Sequence, residues 1–456
     1  MTTASTHPQV QSYAKHVNPA FVKLLGAFGY GRVFVRAKGN RIWDHEGREY
    51  LDFLAAFGAV NLGHNPPRLL EKMREALSDD APNLVHVGPQ VHAGDYAEAL
   101  TALTGPLSMC LYSCSGGEAV EAGLKLARAA TKRPGLVYCK GGFHGTNLGT
   151  LSVMGHERLR APFEPLVPDC HAVPFGDLGA LEKELKTRKI AAFLVEPIQG
   201  EGGVNLPPRH YLRDALSLCH RHGALLVLDE VQTGLGRTGT MFAYETEEMV
   251  PDVLVLGKAL GGSMIPISAT LTTPDLHERA YGTMEKFDLH GSTFSGNALA
   301  CRTAMATLAL LQEEGLVERS RQKGELLLGS LRARLAGHPL VRDIRGRGLL
   351  VGLELGPTEG GGLLSRFLPG VVEQISKRVF GQWLAVRLLE RGILAQPASQ
   401  QWNVLKLEPP LTVTDEEIGQ AVAIIGEIMD KYREIGPLLK DAGERLGKQA
   451  MGGFAF

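Results

Sequence analysis

The sequence predicts an α/β protein: a large lobe with a mainly parallel sheet between helices, and a small α+β lobe built from both chain termini. Three observations lead there. Short continuous apolar runs in the middle of the chain, LVYC at 136–139, AAFLVE at 191–196, ALLVLDE at 224–230 and DVLVLG at 252–257, have the length of strands buried on both faces. Helical patterns such as EAVEAGLKLARAA and YLRDALSLCHRHG stand among them, as a covered parallel sheet requires. The two chain ends lack this alternation and are expected to form the smaller lobe.

Taken in order, residues 1–30 are first polar and then mixed, and read as an N-terminal arm or helix. VFVRAKGNRIWDHEGREYLDF alternates between Val33 and Phe53 around GN and EG turn signals, which predicts short antiparallel strands. A helix is expected at Pro67–Leu77, followed by the strand and helix alternation. Beyond Ser295 a long helical stretch runs from GNALACRTAMATLALL towards RARLAG at 332–337. VRDIRGRGLLVGLEL and VLKLEPPLTVTDEEIGQAVAIIGEIMDKY then read as strands followed by a terminal helix. GPTEGGGLLS at 356–365 reads as a surface loop. The expected divisions are 1–64 (arm and first part of the small domain), 65–335 (large domain) and 336–456 (remainder of the small domain).

Composition narrows the function classes. The 456 residues carry 48 Lys+Arg against 49 Asp+Glu, a net charge of −1, which offers no electrostatic case for nucleic acid or an anionic membrane. Six cysteines stand singly at 110, 114, 139, 170, 219 and 301, fitting reduced thiols better than a disulfide framework or a zinc site. Neither a signal-like apolar region at the start nor a membrane-length apolar run is found, so a cytoplasmic protein is expected. The 55 glycines exceed the usual share of roughly 7%, and imply tight turns or close backbone approach to a ligand.

Gly234-Leu-Gly236-Arg-Thr-Gly239 spells a dinucleotide fingerprint, but DEVQT separates it from the strand and Asp252 precedes the next strand instead of ending it. A nicotinamide-dependent dehydrogenase is therefore the weaker reading. The better-placed glycines are in SCSGGEAVEAGLKLARAA. There Ser115, Gly116 and Gly117 open an amphipathic helix, whose free N–H groups and dipole favour a phosphate. A plain helix start capped by Ser115 explains the pattern equally well. Asp229 ends a wholly apolar strand, and 29 residues later Lys258 follows the end of another. A carboxylate there needs a cation, and a lysine there becomes a good amine nucleophile. Phosphate cradle, acid and lysine together fit pyridoxal 5'-phosphate.

Several long motifs in order, KHVNPAF, GFHGTNLGTLS, EPIQGEGGVNLPPRHYL, LDEVQTGLGRTGTMFAYE, LHGSTFSGNALAC and LEPPLT, resemble the class III pyridoxal-phosphate-dependent aminotransferases of fold type I. The likeness covers nearly the whole chain and is strongest to the putrescine (diamine) aminotransferases. It implies a homodimeric transaminase moving an amino group from a terminal amine (diamine, ω-amino acid or related amine) to a 2-oxo acid. A decarboxylase, aminomutase or racemase on the same scaffold is the alternative. By the resemblance, Lys258 holds the cofactor as a Schiff base and moves the proton, while Asp229 keeps the ring nitrogen protonated. Val231 and Phe143 pack on the ring faces, Gln232 meets its hydroxyl, and Ser115, Gly116 and Gly117 bind its phosphate, joined by Thr293 of a second subunit. His144 belongs to the same environment, and Glu196 and Glu201 lie on the substrate side. His64 is expected to make a structural hydrogen bond.

Two departures stand out. Cys114 and Gly117 replace the asparagine and the hydroxyl or alanine residue usual in the phosphate turn, so backbone donation survives there without a hydroxyl at 117. Lys406 stands where the family commonly has a carboxylate-binding arginine, and a point charge lacks the arginine's bidentate fork.

Overall fold

The computed structural model describes residues 7–27, 30–187, 189–358 and 369–451. Its large sheet has seven strands: β4 (Met109–Ser113), β5 (Gly135–Cys139), β6 (Cys170–Val173), β7 (Ile190–Val195), β8 (Leu225–Asp229), β9 (Val253–Leu256) and β10 (Ser268–Thr272). Their spatial order is β4-β10-β9-β8-β7-β5-β6. The four apolar runs of the sequence are β5, β7, β8 and β9, all mutually parallel in the sheet. β10 runs antiparallel to both of its neighbours, a direction that its side-chain pattern does not encode.

Successive residues of these strands serve opposite faces. Leu225 and Val227 join the helix Gly116–Thr131 in one apolar cluster, while Leu226 and Leu228 join the helix Tyr211–Arg221 in the other. Each such leucine or valine contributes about 1.5–3 kcal/mol by leaving water, which is why strands covered on both faces read as continuous apolar runs. Gly123 lets its helix approach the sheet: a Cβ there would lie 3.3 Å from Val227 Cγ1.

Two smaller four-stranded sheets complete the architecture. β1 (Phe34–Lys38), β2 (Arg41–Asp44) and β3 (Glu49–Asp52) are antiparallel as expected, and β13 (Ile393–Leu394) pairs parallel with β3, joining the two chain ends. β11 (Val341–Arg347), β12 (Leu350–Leu355), β14 (Gln396–Ala398) and β15 (Gln401–Leu407) form the second, in the order β11-β12-β15-β14.

Several sequence expectations are refined. The helix at Pro67–Leu77 forms with those limits. The long helical stretch after Ser295 is two helices, Ala298–Glu313 and Leu316–Arg334, broken at Gly315 with φ +59°. A helix Pro369–Glu390 precedes β13 and was not anticipated, because its buried Phe380, Trp383, Leu384, Ala385, Leu388 and Leu389 leave no clean polar face. Residues 359–365 of the low-complexity stretch lie outside the described residues. No described helix is long and apolar enough to cross a membrane.

Candidate active site

The carboxyl ends of β4, β5, β7, β8 and β9 converge, the position where open α/β sheets bind ligands. Asp229 ends β8, almost wholly buried. Its Oδ2 lies 2.8 Å from His144 Nδ1, and its Oδ1 accepts the Val231 N–H at 3.0 Å. Burial alone would lower the His144 pKa, but the hydrogen bond and charge of Asp229 outweigh it and raise the value. The other ring nitrogen, Nε2, is buried with no partner among the described residues. Glu196 follows β7 and accepts the N–H groups of Phe143 at 2.8 Å and Gly200 at 3.2 Å, tying those two loops together. Burial pushes its carboxyl up to about 7, against the opposing charge of His144.

Lys258 comes two residues after β9, in the left-handed region with φ +44°. Such a conformation costs an ordinary residue of order 1–3 kcal/mol and persists only where the surroundings impose it. Burial lowers the Lys258 pKa, with Glu201 and Glu408 opposing. Among the described residues its ammonium makes no hydrogen bond or ion pair.

Two backbones meet Val231 next to this lysine. A Cβ on Gly116 would stand 2.8 Å from Val231 Cγ1, and one on Gly257 would stand 3.3 Å from the same atom. Glycine is thus required to bring the mouth of the helix Gly116–Thr131 against Val231 and the lysine loop. Ser115 is the N-cap, its Oγ accepting the Glu118 N–H at 3.3 Å, while Glu118 accepts from Cys114 N at 2.9 Å. The simple capping explanation therefore holds for Ser115, yet the first-turn amides of Gly116 and Gly117 still have no partner inside the helix.

A second cluster faces this one. Lys406, on β15 and fully buried, is paired with Glu201 and, at 3.0 Å, with Glu408. Glu201 also accepts the Ser399 N–H at 3.0 Å. Burial would raise the Glu201 carboxyl, but the Lys406 and Lys258 charges hold it at about 2. Gln232 Nε2 donates to Glu408 Oε1 at 2.6 Å and more weakly to Phe57 O at 3.4 Å. The half-exposed Phe57 ring lies 5.3 Å from Lys406 Nζ.

Lys258, Asp229, His144, Val231, Gly116 and Gly117 thus gather in one region, with Phe143 and Glu196 on the two adjoining loops. Thr293 does not join them within one chain; it lies in the exposed segment between Pro274–Tyr281 and Ala298–Glu313. His64 makes a 2.7 Å contact with Asp52, the structural hydrogen bond expected of it. Sequence reasoning missed Glu408 and Phe57. The spacing of Lys406 and Glu408 by two in an apolar strand was a usable signal, since it puts both on one strand face. Phe57 had none: it ends a left-handed run, Ala55–Ala56–Phe57, that follows a local turn in which the Asp52 carboxylate accepts from the Leu54 and Ala55 N–H groups, and ordinary side chains do not announce such a run.

The profile of the family described as aminotransferase class-III matches residues 28–429. The chain belongs to the class III aminotransferases. It is 34% identical over 450 residues to the aminotransferase PigE of Serratia sp. (strain ATCC 39006), covering 92% of this chain but 53% of that protein, so it spans about half of that relative's length. It is 37% identical over 444 residues to a putrescine aminotransferase of Pectobacterium atrosepticum, with 94% and 89% of the two chains covered. Among solved structures, the ornithine aminotransferase of Toxoplasma gondii superposes with a TM-score of 0.78 at 33% identity, covering 88% of this chain and 92% of that one.

Class III aminotransferases use pyridoxal 5'-phosphate, and the residues present fit it. The site offers an amine without a partner among the described residues, a buried carboxylate for a cationic nitrogen, and a helix mouth where a side chain at 116 would meet Val231.

Proposed function

We propose that this class III aminotransferase moves an amino group from a terminal amine, a diamine or ω-amino acid, to a 2-oxo acid. The observation that carries the reading is the half-buried Lys258, its pKa lowered by desolvation and its ammonium without a partner among the described residues, beside both the Gly116 helix mouth and the Asp229–His144 pair. Pyridoxal phosphate, when bound, supplies an aldehyde that condenses with amines and a ring that withdraws electrons from the bond to be broken. With the cofactor bound, Lys258 Nζ would be the amine that holds it and the base that takes up and returns the substrate's proton. Asp229, oriented by His144, would favour the cationic form of its ring nitrogen by its negative charge. Val231 and Phe143 would pack against it, and Gly116, Gly117 and Ser115 would hold its phosphate, with Thr293 of a second copy in a homodimer. The Gln232 amide nitrogen is engaged by Glu408 and Phe57, so its carbonyl is left to accept from a ring hydroxyl.

On the substrate side, Glu201 and Lys406 form the charged wall, and the likeness to a putrescine aminotransferase supports a diamine donor. An amine without a carboxylate makes no demand on Lys406, whereas every 2-oxo acid carries a carboxylate for it. Glu196 acts from behind, holding the Phe143 and Gly200 backbones. The test is a half-reaction screen of diamines, ω-amino acids and α-amino acids, read by cofactor absorbance with product analysis. Amine transfer from a terminal amine, followed by return to a 2-oxo acid, is expected. Release of carbon dioxide or isomerised amine without transfer would point to a decarboxylase or aminomutase instead.

A further inference from the structure

Gln232 and Glu408 come from different sheets, and their contact decides which way an amide points. Gln232 lies in the loop after β8, and Glu408 is fully buried one residue beyond β15. Gln232 Nε2 donates to Glu408 Oε1 at 2.6 Å and to Phe57 O at 3.4 Å. The other Glu408 oxygen accepts from Lys406 at 3.0 Å, and the Glu408 N–H donates to Phe53 O at 2.8 Å.

An amide has two ends of nearly equal size and opposite hydrogen-bonding sense. Turned end for end, Gln232 would set its oxygen against Glu408 Oε1 and Phe57 O, two acceptors with no hydrogen to share. The network therefore assigns the amide, with its nitrogen towards Glu408 and its oxygen away from it. The Gly200 backbone packs against that oxygen: a Cβ there would stand 2.1 Å from Gln232 Oε1. The Gly200 N–H is committed to Glu196 Oε2 at 3.2 Å, and no described residue donates to the Gln232 oxygen.

We propose that Glu408 is a positioning residue for the cofactor: it locks the Gln232 amide so that the ring hydroxyl of pyridoxal phosphate meets an acceptor, which favours the protonated hydroxyl. The inference rests on the reading that this cofactor occupies the site. A donor in the same place would favour the oxyanion instead. Glu408 outranks Phe57 O in this choice, being both charged and the closer of the two acceptors. Glu408→Gln keeps the shape and reverses the choice. Its new carbonyl must stay on Lys406, which has only donors, so its NH2 group would face the Gln232 NH2 group. Gln232 would then turn over and offer the ring hydroxyl a donor.

The test is a pH titration of the visible absorbance of protein loaded with pyridoxal phosphate, without substrate. It compares wild type, Glu408→Gln, Gln232→Leu and the double variant. The midpoint in Glu408→Gln is expected to fall by about one pH unit, a tenfold change in proton affinity. Charges also act on this region directly: Glu201, Glu408, Lys406 and Asp229 all bear on Lys258, and Arg237 interacts with Glu408. Losing the Glu408 charge would by itself lower the midpoint, so the double variant decides. With no amide at 232 to turn over, Glu408→Gln should move the midpoint far less than it does when Gln232 is present. Equal shifts in the two backgrounds would overturn the inference and leave Glu408 acting only as a charge. No shift in either background would overturn it as well. Glu408→Asp, which keeps the charge but withdraws it from the amide by one methylene, serves if Glu408→Gln does not fold; its midpoint should fall too, and an unmoved one would count against the inference. A wild type that takes up no pyridoxal phosphate would overturn the cofactor reading and the inference with it, whereas a loaded wild type beside an unmoved Glu408→Gln overturns the inference alone.

Discussion

Replacing Lys406 with methionine keeps the length of the side chain and removes its charge, which leaves Glu201 and Glu408 buried without their shared cation. The magnitude follows in two ways. Glu201 is held at about 2 against an ordinary 4.5, chiefly by Lys406 once the opposing effect of burial is overcome, and that depression corresponds to roughly 3 kcal/mol. Removing one member of a buried pair independently costs about 3–5 kcal/mol. The sign with pH is fixed by the direction of the shift. A depressed carboxylate stabilises the fold above its ordinary pKa and loses that contribution as pH falls towards 2. Lys406→Met should therefore unfold at lower urea than wild type at neutral pH, and the gap should narrow below about pH 4.5 as Glu201 protonates more readily in the variant than in wild type. In half-reactions at neutral pH the oxo acid should need about 10- to 100-fold higher concentration, with the diamine half little changed. A variant as stable as wild type at neutral pH, or a gap indifferent to pH, would refute the electrostatic argument. Equal losses with amine and oxo acid would leave Lys406 a purely structural role.

Lys258→Ala should keep the far-UV circular dichroism of wild type but lose turnover by orders of magnitude, together with the borohydride-sensitive visible absorbance; near-native turnover would disqualify the site. Asp229→Asn should slow the amine half-reaction strongly while cofactor content falls less, because a neutral amide cannot balance a cationic ring nitrogen; normal half-reaction rates would count against it. If Thr293 serves a neighbouring site, Lys258→Ala and a bulky replacement of Thr293 should partly complement when the two inactive proteins are mixed and allowed to exchange subunits. An active monomer by light scattering at assay concentration would end that idea.

What could be read from the sequence follows the physics of each feature. β7, β8 and β9 were legible because a strand buried on both faces must be continuously apolar, and Asp229 was legible as the charged residue that ends such a run. Lys258 was legible for the same reason, two residues past its strand. The antiparallel sense of β10 was not, since SATLT would be equally buried in either direction. The helix Pro369–Glu390 escaped because, over 379–389, contact with the strands beside it buries residues on more than one face, which blurs the amphipathic period. At the site, residue types and their order carried the phosphate turn and the lysine. The partnership of Lys406 with Glu201 depended on bringing together segments 205 residues apart, which no local pattern records.

The glycine motif set aside as a dinucleotide fingerprint finds its use in joining the two clusters. Leu235, Gly236 and Gly239 all have positive φ, which turns the loop sharply after β8 and delivers Arg237 into the interior. The guanidinium donates to Asn61 Oδ1 at 2.6 Å, to Pro409 O at 2.6 Å and to Leu349 O at 3.0 Å. Burial lowers its pKa to about 10, with Glu408 and Asp52 opposing, so it remains a cation at neutral pH. One buried charge thereby binds the loop that follows Asp229 to the segment that follows Lys406 and Glu408. Fork geometry is what allows three carbonyl acceptors on separate segments to be met at once, and a lysine at 237 would meet fewer. Asp229 and Lys258 come from the large sheet, and Lys406 comes from β15. Arg237 joins the two, alongside the direct hydrogen bond from Gln232 to Glu408.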